Sequence, residues 1–296
     1  MSYKSGAQSS ASWLPLLGII ACSAMLGSAH VFARLTYAYD VNVLTTAAAR
    51  LTCASVLVFI YLCLRRVTFP KLGRAYRATF VLGLLACAQT VSLQIAVLNL
   101  PVAIAILFFY TFPFFTGIGS ALIGDERMSL KLAVALVVAF AGLALVVGAD
   151  FTGVSIVGLA AALAASVFFT LTLILTPKLA PELSPAMRTF FMMSLAAGIL
   201  LAVLAGTGGF GFPKSPDGWA AFSAFALLYG LGINGLFMLL PKMGATQTAV
   251  ALNLEPVMVA VIGYFVVGEL LSPIQMVGAL VVVSAVIAFQ LSARRR

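Results

Sequence analysis

The chain has 296 residues, of which 63% are hydrophobic and 8% charged, and it carries a formal net charge of +9. Soluble domains carry about 25% charged residues, so a water-soluble globule is excluded and an integral membrane protein is expected. The positive charges lie between apolar runs rather than on one patch, which suits orientation in a bilayer and not a nucleic-acid surface.

The apolar runs are continuous for about twenty residues, the length a helix needs to cross roughly 30 Å of hydrocarbon. A barrel strand would instead alternate over about ten positions. Ten spans are predicted, in chain order Trp13–Thr36, Val43–Leu64, Ala78–Leu98, Val102–Ile123, Leu130–Val147, Val154–Leu175, Met187–Ala205, Trp219–Leu239, Ala245–Val267 and Ser272–Leu291. Connections are short, so neighbouring helices should run antiparallel with no extramembrane domain. The first run is too long for a signal-peptide core and is expected to stay as an anchor.

Basic residues orient the bundle. Fourteen fall on one side: Lys4, Arg65, Arg66, Lys71, Arg74, Arg77, Arg127, Lys131, Lys178, Arg188, Lys242 and Arg294 to Arg296. Only Arg34 and Lys214 fall on the other, with Asp40, Asp150, Asp217 and Glu269, while Arg50 is left inside a span. Both termini are therefore expected to be cytoplasmic, in a cytoplasmic (inner) membrane. Cys22, Cys53, Cys63 and Cys87 show no CxxC spacing and no histidine pair nearby, and are read as small buried residues.

A repeat underlies the ten spans. Shifting Tyr110–Ser129 forward by 143 positions (256 − 113) brings Pro113 onto Pro256, Glu126 onto Glu269 and Ser129 onto Ser272. The same offset brings Ser23 onto Ser166, Thr46 onto Thr189 and Tyr110 onto Asn253. Each copy has five spans, an odd number, so the second must enter the membrane from the opposite side. The expected fold is an all-α membrane protein of ten transmembrane helices in two inverted five-helix repeats, residues 1–148 and 149–296.

Polar groups inside a membrane are costly and are functional candidates by default. Glu255 lies about ten residues into its span, roughly 15 Å deep at 1.5 Å per residue, and Pro256 after it disturbs the helix and frees carbonyls near Leu252. It suits a substrate-ammonium or proton site, or a structural carboxylate. Arg50 and His30 lie at similar depth, and Glu255 should pair with one of them. An Arg50 partner would keep Glu255 ionised and structural, whereas His30 would allow proton exchange near neutral pH. Two helical steps put Asn253 nearly opposite Glu255, while Thr248, seven positions earlier, shares its face. Tyr110 with Phe108, Phe109 and Phe112 forms an aromatic patch able to stack on an apolar or cationic ligand. Gly142 and Gly148, with Gly117 and Ala121, are read as sites of close helix packing.

Each half ends with a Pro-containing helix, a short acidic turn and a last helix: Pro113 then Asp125-Glu126-Arg127, and Pro256 then Gly268-Glu269-Leu270. In this the chain, from about Trp13 to Leu291, resembles the ten-helix EamA-type members of the drug/metabolite transporter superfamily. The resemblance implies a secondary transporter whose central cavity is lined by the first, third and fourth helices of each repeat, with the last helices at the periphery. It puts Asn234, Gln89 and Gln94 in cavity-lining helices and gives Pro113, Pro256, Glu126 and Glu269 structural parts; Arg50, as a candidate partner of Glu255, is expected to be structural as well. No phosphate loop of the GxxxxGK[ST] type and no HExxH occurs, so neither ATP hydrolysis, a metal nor a cofactor is expected, and the chain is expected not to be an enzyme. The expected partners are the lipid bilayer, a small-molecule substrate and protons, with the chain a monomer or homodimer. The substrate class is expected to be small neutral or zwitterionic metabolites, amino acids foremost, exported by alternating access. Efflux of cationic drugs and lipid handling are the alternatives.

Overall fold

The computed structural model of the protein describes residues 13–69, 73–125, 129–148, 154–268 and 270–294. Its regular elements are all α-helices: α1 (Trp13–Tyr37), α2 (Val43–Leu64), α3 (Arg74–Asn99), α4 (Val102–Phe109), α5 (Phe112–Leu122), α6 (Leu130–Val147), α7 (Ile156–Leu179), α8 (Pro185–Thr207), α9 (Pro216–Met243), α10 (Ala245–Leu252), α11 (Glu255–Val267) and α12 (Pro273–Arg294). They make ten membrane spans, with α4 and α5 together forming one and α10 and α11 another. Polar side chains set where helices begin. Asn42, Ser129, Ser155, Ser184 and Ser215 each accept a hydrogen bond from the first turn of the following helix. Ser272 and Gln275 cap α12 reciprocally, side chain to backbone in both directions.

The repeat is carried into the helix boundaries. Under the 143-residue offset, α4 at Val102–Phe109 falls on α10 at Ala245–Leu252, and the first residue of α5, Phe112, falls on the first residue of α11, Glu255. The two breaks, Tyr110–Thr111 and Asn253–Leu254, coincide. Proline causes both. Pro113 and Pro256, second in α5 and α11, have no N–H to offer the carbonyl four residues back, and their rings crowd it. The preceding turn tightens in response: Thr111 N–H donates to Phe108 O at 3.2 Å and Leu254 N–H to Ala251 O at 3.1 Å, each three residues back. The expected fourth and ninth spans are thus two helices each rather than one disturbed helix. Conversely, α7 and α9 run through Pro177 and Pro241, past the expected ends at Leu175 and Leu239. A proline in the last turn deletes one bond near a terminus, and the helix survives it.

The principal helix contacts join the two halves: α1 with α9, α3 with α7, α6 with α12, and α2 with α8. The offset turns the first pair into the second and matches each of the other two to itself. The core is therefore shared between repeats rather than built within each. Two departures from expectation are local. Cys63 is exposed on α2 rather than buried, because it falls off that helix's inward stripe. Gly148 has nothing within 4 Å of an added Cβ and a φ of +59°, so it ends α6 in a left-handed cap rather than packing against a neighbour.

The α6–α12 crossing rests on glycine. A Cβ on Gly278 would lie 2.7 Å from the Gly142 carbonyl oxygen, and one on Gly142 would lie 2.9 Å from that of Gly278. Backbone atoms cannot yield as a side-chain end can. Gly278→Ala should therefore destabilise the bundle by about 1–3 kcal/mol, read as a lower thermal unfolding midpoint in detergent micelles. Gly198→Ala on α8, with nothing within 4 Å of its added Cβ, should leave the midpoint unchanged or raise it.

Candidate functional site

Glu255 opens α11 directly after a break and is 8% exposed. A glycine brings its partner within reach. Gly27 of α1 lies so close to α11 that an added Cβ would stand 3.0 Å from the Glu255 carbonyl oxygen and 3.0 Å from Met258 Cβ. One turn further along α1, His30 Nε2 lies 2.9 Å from Glu255 Oε1. Of the two partners expected for Glu255, the structure joins it to His30.

The equivalent joint in the first half is closed by hydroxyls. Position 27 corresponds to 170 and position 255 to 112 under the offset, and Thr170 Oγ1 donates to Phe112 O at 3.1 Å. Thr170 also meets Thr116 Oγ1 at 3.2 Å, and Thr111, in the break, meets Ser166 Oγ at 2.9 Å. One half of the pseudo-symmetric pair is stitched by hydroxyls and the other holds an ionisable pair. The two breaks also meet each other. Tyr110, buried in the first break, lies within electrostatic reach of Glu255 beside the second.

Around Tyr110 an aromatic cluster forms with Phe109, Phe112 and Phe169 of α7, ring centroids 4.8–5.6 Å apart. Phe108 does not join it. It packs instead with Ala96, Leu100, Ile104, Ala105 and Ala162, since adjacent helical residues point about 100° apart. Phe169 escaped the sequence reading because nothing in the run Phe168-Phe169 distinguishes an inward ring from an outward one.

Arg50 is not a partner of Glu255. It makes no ion pair among the described residues, although it is only 8% exposed. Helix α2 packs on α8 and α9, and Tyr229 of α9 takes the guanidinium, whose central carbon lies 4.8 Å from the ring centroid. Arg50 Nε is buried with no hydrogen-bond partner. Tyr229, a second residue the sequence did not single out, lies within electrostatic reach of both Arg50 and Glu255.

The remaining candidates are dispersed. Asn253 is 3% exposed at the break. Thr248 gives its hydroxyl to Gly244 O within α10, and no continuous helix face carries it to Glu255 because α10 ends at Leu252. Asn234 Nδ2 donates to Ala54 O at 2.8 Å, tying α9 to α2, while its Oδ1 is buried without a partner. Gln94 Nε2 reaches Val43 O at 3.4 Å, and Gln89 accepts from the neighbouring Thr90 at 3.4 Å. Glu126 and Glu269 lie outside the described residues. A separate groove of about 630 Å³ runs between α2, α8 and α9, lined by Val56, Leu201, Phe212, Trp219 and Leu227 among others, with no charged side chain in its wall.

The family model described as the EamA-like transporter family matches the chain twice, over residues 13–148 and 156–290. A crystal structure of a protein described without a function has the same fold, with a TM-score of 0.81 at 17% sequence identity, over 95% of this chain and 98% of that one. No curated protein matches.

Thr170→Val keeps the volume of the side chain and removes both of the hydrogen bonds that Thr170 makes to α5. Interhelical bonds of this kind contribute roughly 0.6–2 kcal/mol, so the thermal unfolding midpoint in micelles should fall, and Thr170→Ser should restore most of it.

Proposed function

The chain belongs to the EamA-like transporter family, and from that premise we propose that it exports small neutral or zwitterionic metabolites, amino acids foremost, across the cytoplasmic membrane by alternating access. The observation that carries this reading is the His30–Glu255 pair, 2.9 Å apart, at the place where the broken spans of the two repeats meet. Inverted repeats with discontinuous helices at mid-membrane are a recurrent architecture for substrate sites. The basic residues gathered on one side support cytoplasmic termini.

The pair supports coupling to protons through charge. An uncompensated charge in a membrane interior is costly, so the favoured states are neutral ones. One shared proton makes the pair neutral as His⁺ and Glu⁻. Without that proton, a neutral imidazole and a carboxylate need one external positive charge, which a substrate ammonium supplies. Proton and substrate then occupy the site alternately, as exchange of one for the other requires. Protons entering down their gradient would drive substrate outward.

Counterflow in proteoliposomes, with unlabelled amino acids inside and labelled ones outside, tests this with wild type beside Glu255→Gln. The variant should still exchange solute between compartments of equal pH but with a raised half-saturation, because an amide cannot neutralise the ammonium, while its accumulation under an imposed pH gradient should collapse to the level without a gradient. A variant that answers the gradient as wild type does would make Glu255 structural and remove the coupling mechanism. Wild type that exchanges no amino acid would remove the substrate class.

A further inference from the structure

Arg50 has no protein partner of opposite charge among the described residues. It stands on the inward stripe of α2 with Ala47, Leu51 and Ala54, all buried, so its guanidinium is directed into the bundle and away from lipid headgroups. Seven of the eight acidic residues lie outside the spans or at their ends, and the eighth, Glu255, is engaged by His30. What Arg50 has is the face of Tyr229, 4.8 Å from its central carbon, and a buried Nε without an acceptor. A ring face attracts a cation but accepts none of the five guanidinium N–H groups in the directed way that a carboxylate does. A buried cation with no ion pair and an unsatisfied Nε calls for an anion, and the chain supplies none among the described residues.

We propose that Arg50 receives the carboxylate of the transported solute, resting on the transporter reading above. Tyr229 is common to both charged groups: the guanidinium lies over its ring, and Glu255 is within electrostatic reach. A solute with an ammonium group for Glu255 and a carboxylate for Arg50 satisfies both and enters with no net charge. An amine without the carboxylate pairs its ammonium with Glu255 and leaves Arg50 unpaired. The site therefore selects amino acids over the corresponding amines and amides, and Arg50 is a binding residue rather than the structural one its position first suggested. Lysine would keep the charge and lose the planar, two-pronged geometry.

Matched probes test the assignment: phenylalanine, leucine and threonine, each beside its carboxamide, which keeps side chain and ammonium and lacks only the carboxylate. Counterflow is measured on wild type, Arg50→Gln and Arg50→Lys, and the thermal unfolding midpoint of purified wild type is read with each probe. Wild type should exchange at least one acid with a half-saturation about tenfold or more below that of its amide, roughly 1.4 kcal/mol, and at equal concentration the acid should raise the midpoint more than the amide does. Arg50→Gln should abolish this preference by losing affinity for the acid, with the amide unchanged, and Arg50→Lys should restore part of it. Wild type that handles acids and amides alike would overturn the anchor while leaving transport intact. The anchor also falls if Arg50→Gln weakens both members of each pair equally or leaves the acids untouched, or if sodium chloride stabilises wild type as well as the acids do. Exchange of neither probe class would instead bring down the amino-acid reading, and this assignment with it.

Discussion

Hydrocarbon offers no partner to a backbone amide or carbonyl, so a membrane helix can be interrupted only where protein encloses the interruption. Two interruptions are present among the described residues, at Tyr110–Thr111 and Asn253–Leu254, and α7 and α1 pack over them. Both are created by proline and shortened by bonds to the carbonyl three residues back. In the first, hydroxyls from α7 supply further partners: Ser166 meets Thr111, and Thr170 takes the Phe112 carbonyl. In the second, α1 comes to backbone contact through Gly27.

That covering is done chiefly by the opposite half. Helix α7 belongs to the second repeat and closes the first break; α1 belongs to the first and closes the second. The same exchange places α9 on α1, α3 on α7, and α6 against α12 through the paired glycines Gly142 and Gly278. Helices in lipid gain little from burying apolar surface against one another, so close backbone approach and interhelical hydrogen bonds carry much of the association. Repeats that interlock in this way fold as one body, and any movement that exposes the centre must slide these contacts rather than separate two finished domains.

The asymmetry between the joints has a chemical meaning. Where the first joint offers Phe112 and a threonine, the second offers Glu255 and, one turn past Gly27, His30. Duplication laid down the geometry twice, and ionisable chemistry stands on one copy. Tyr110 reaches from the neutral break to the charged one, and Tyr229 connects the charged one to Arg50. A cation and an anion held near one aromatic residue in a low-dielectric interior interact strongly with whatever enters between them.

Much of the fold was legible in the chain itself. Continuous apolar runs give spans because only a helix satisfies its own backbone in lipid, and a fixed offset of 143 residues gives two copies, which an odd number of spans makes inverted. Glu255, His30 and Arg50 were also legible as candidates, since ionisable residues are rare in such runs. The three-dimensional packing alone decided which of them meet. Helices apolar all round carry no periodicity to orient them, so nothing in the order of residues could choose between His30 and Arg50 as the partner of Glu255, separate Phe108 from Phe109, or bring in Phe169 and Tyr229. That choice was made by which helices come closest: Gly27 draws α1 onto α11 and delivers His30, while α9 packs on α2 and turns Tyr229 to Arg50.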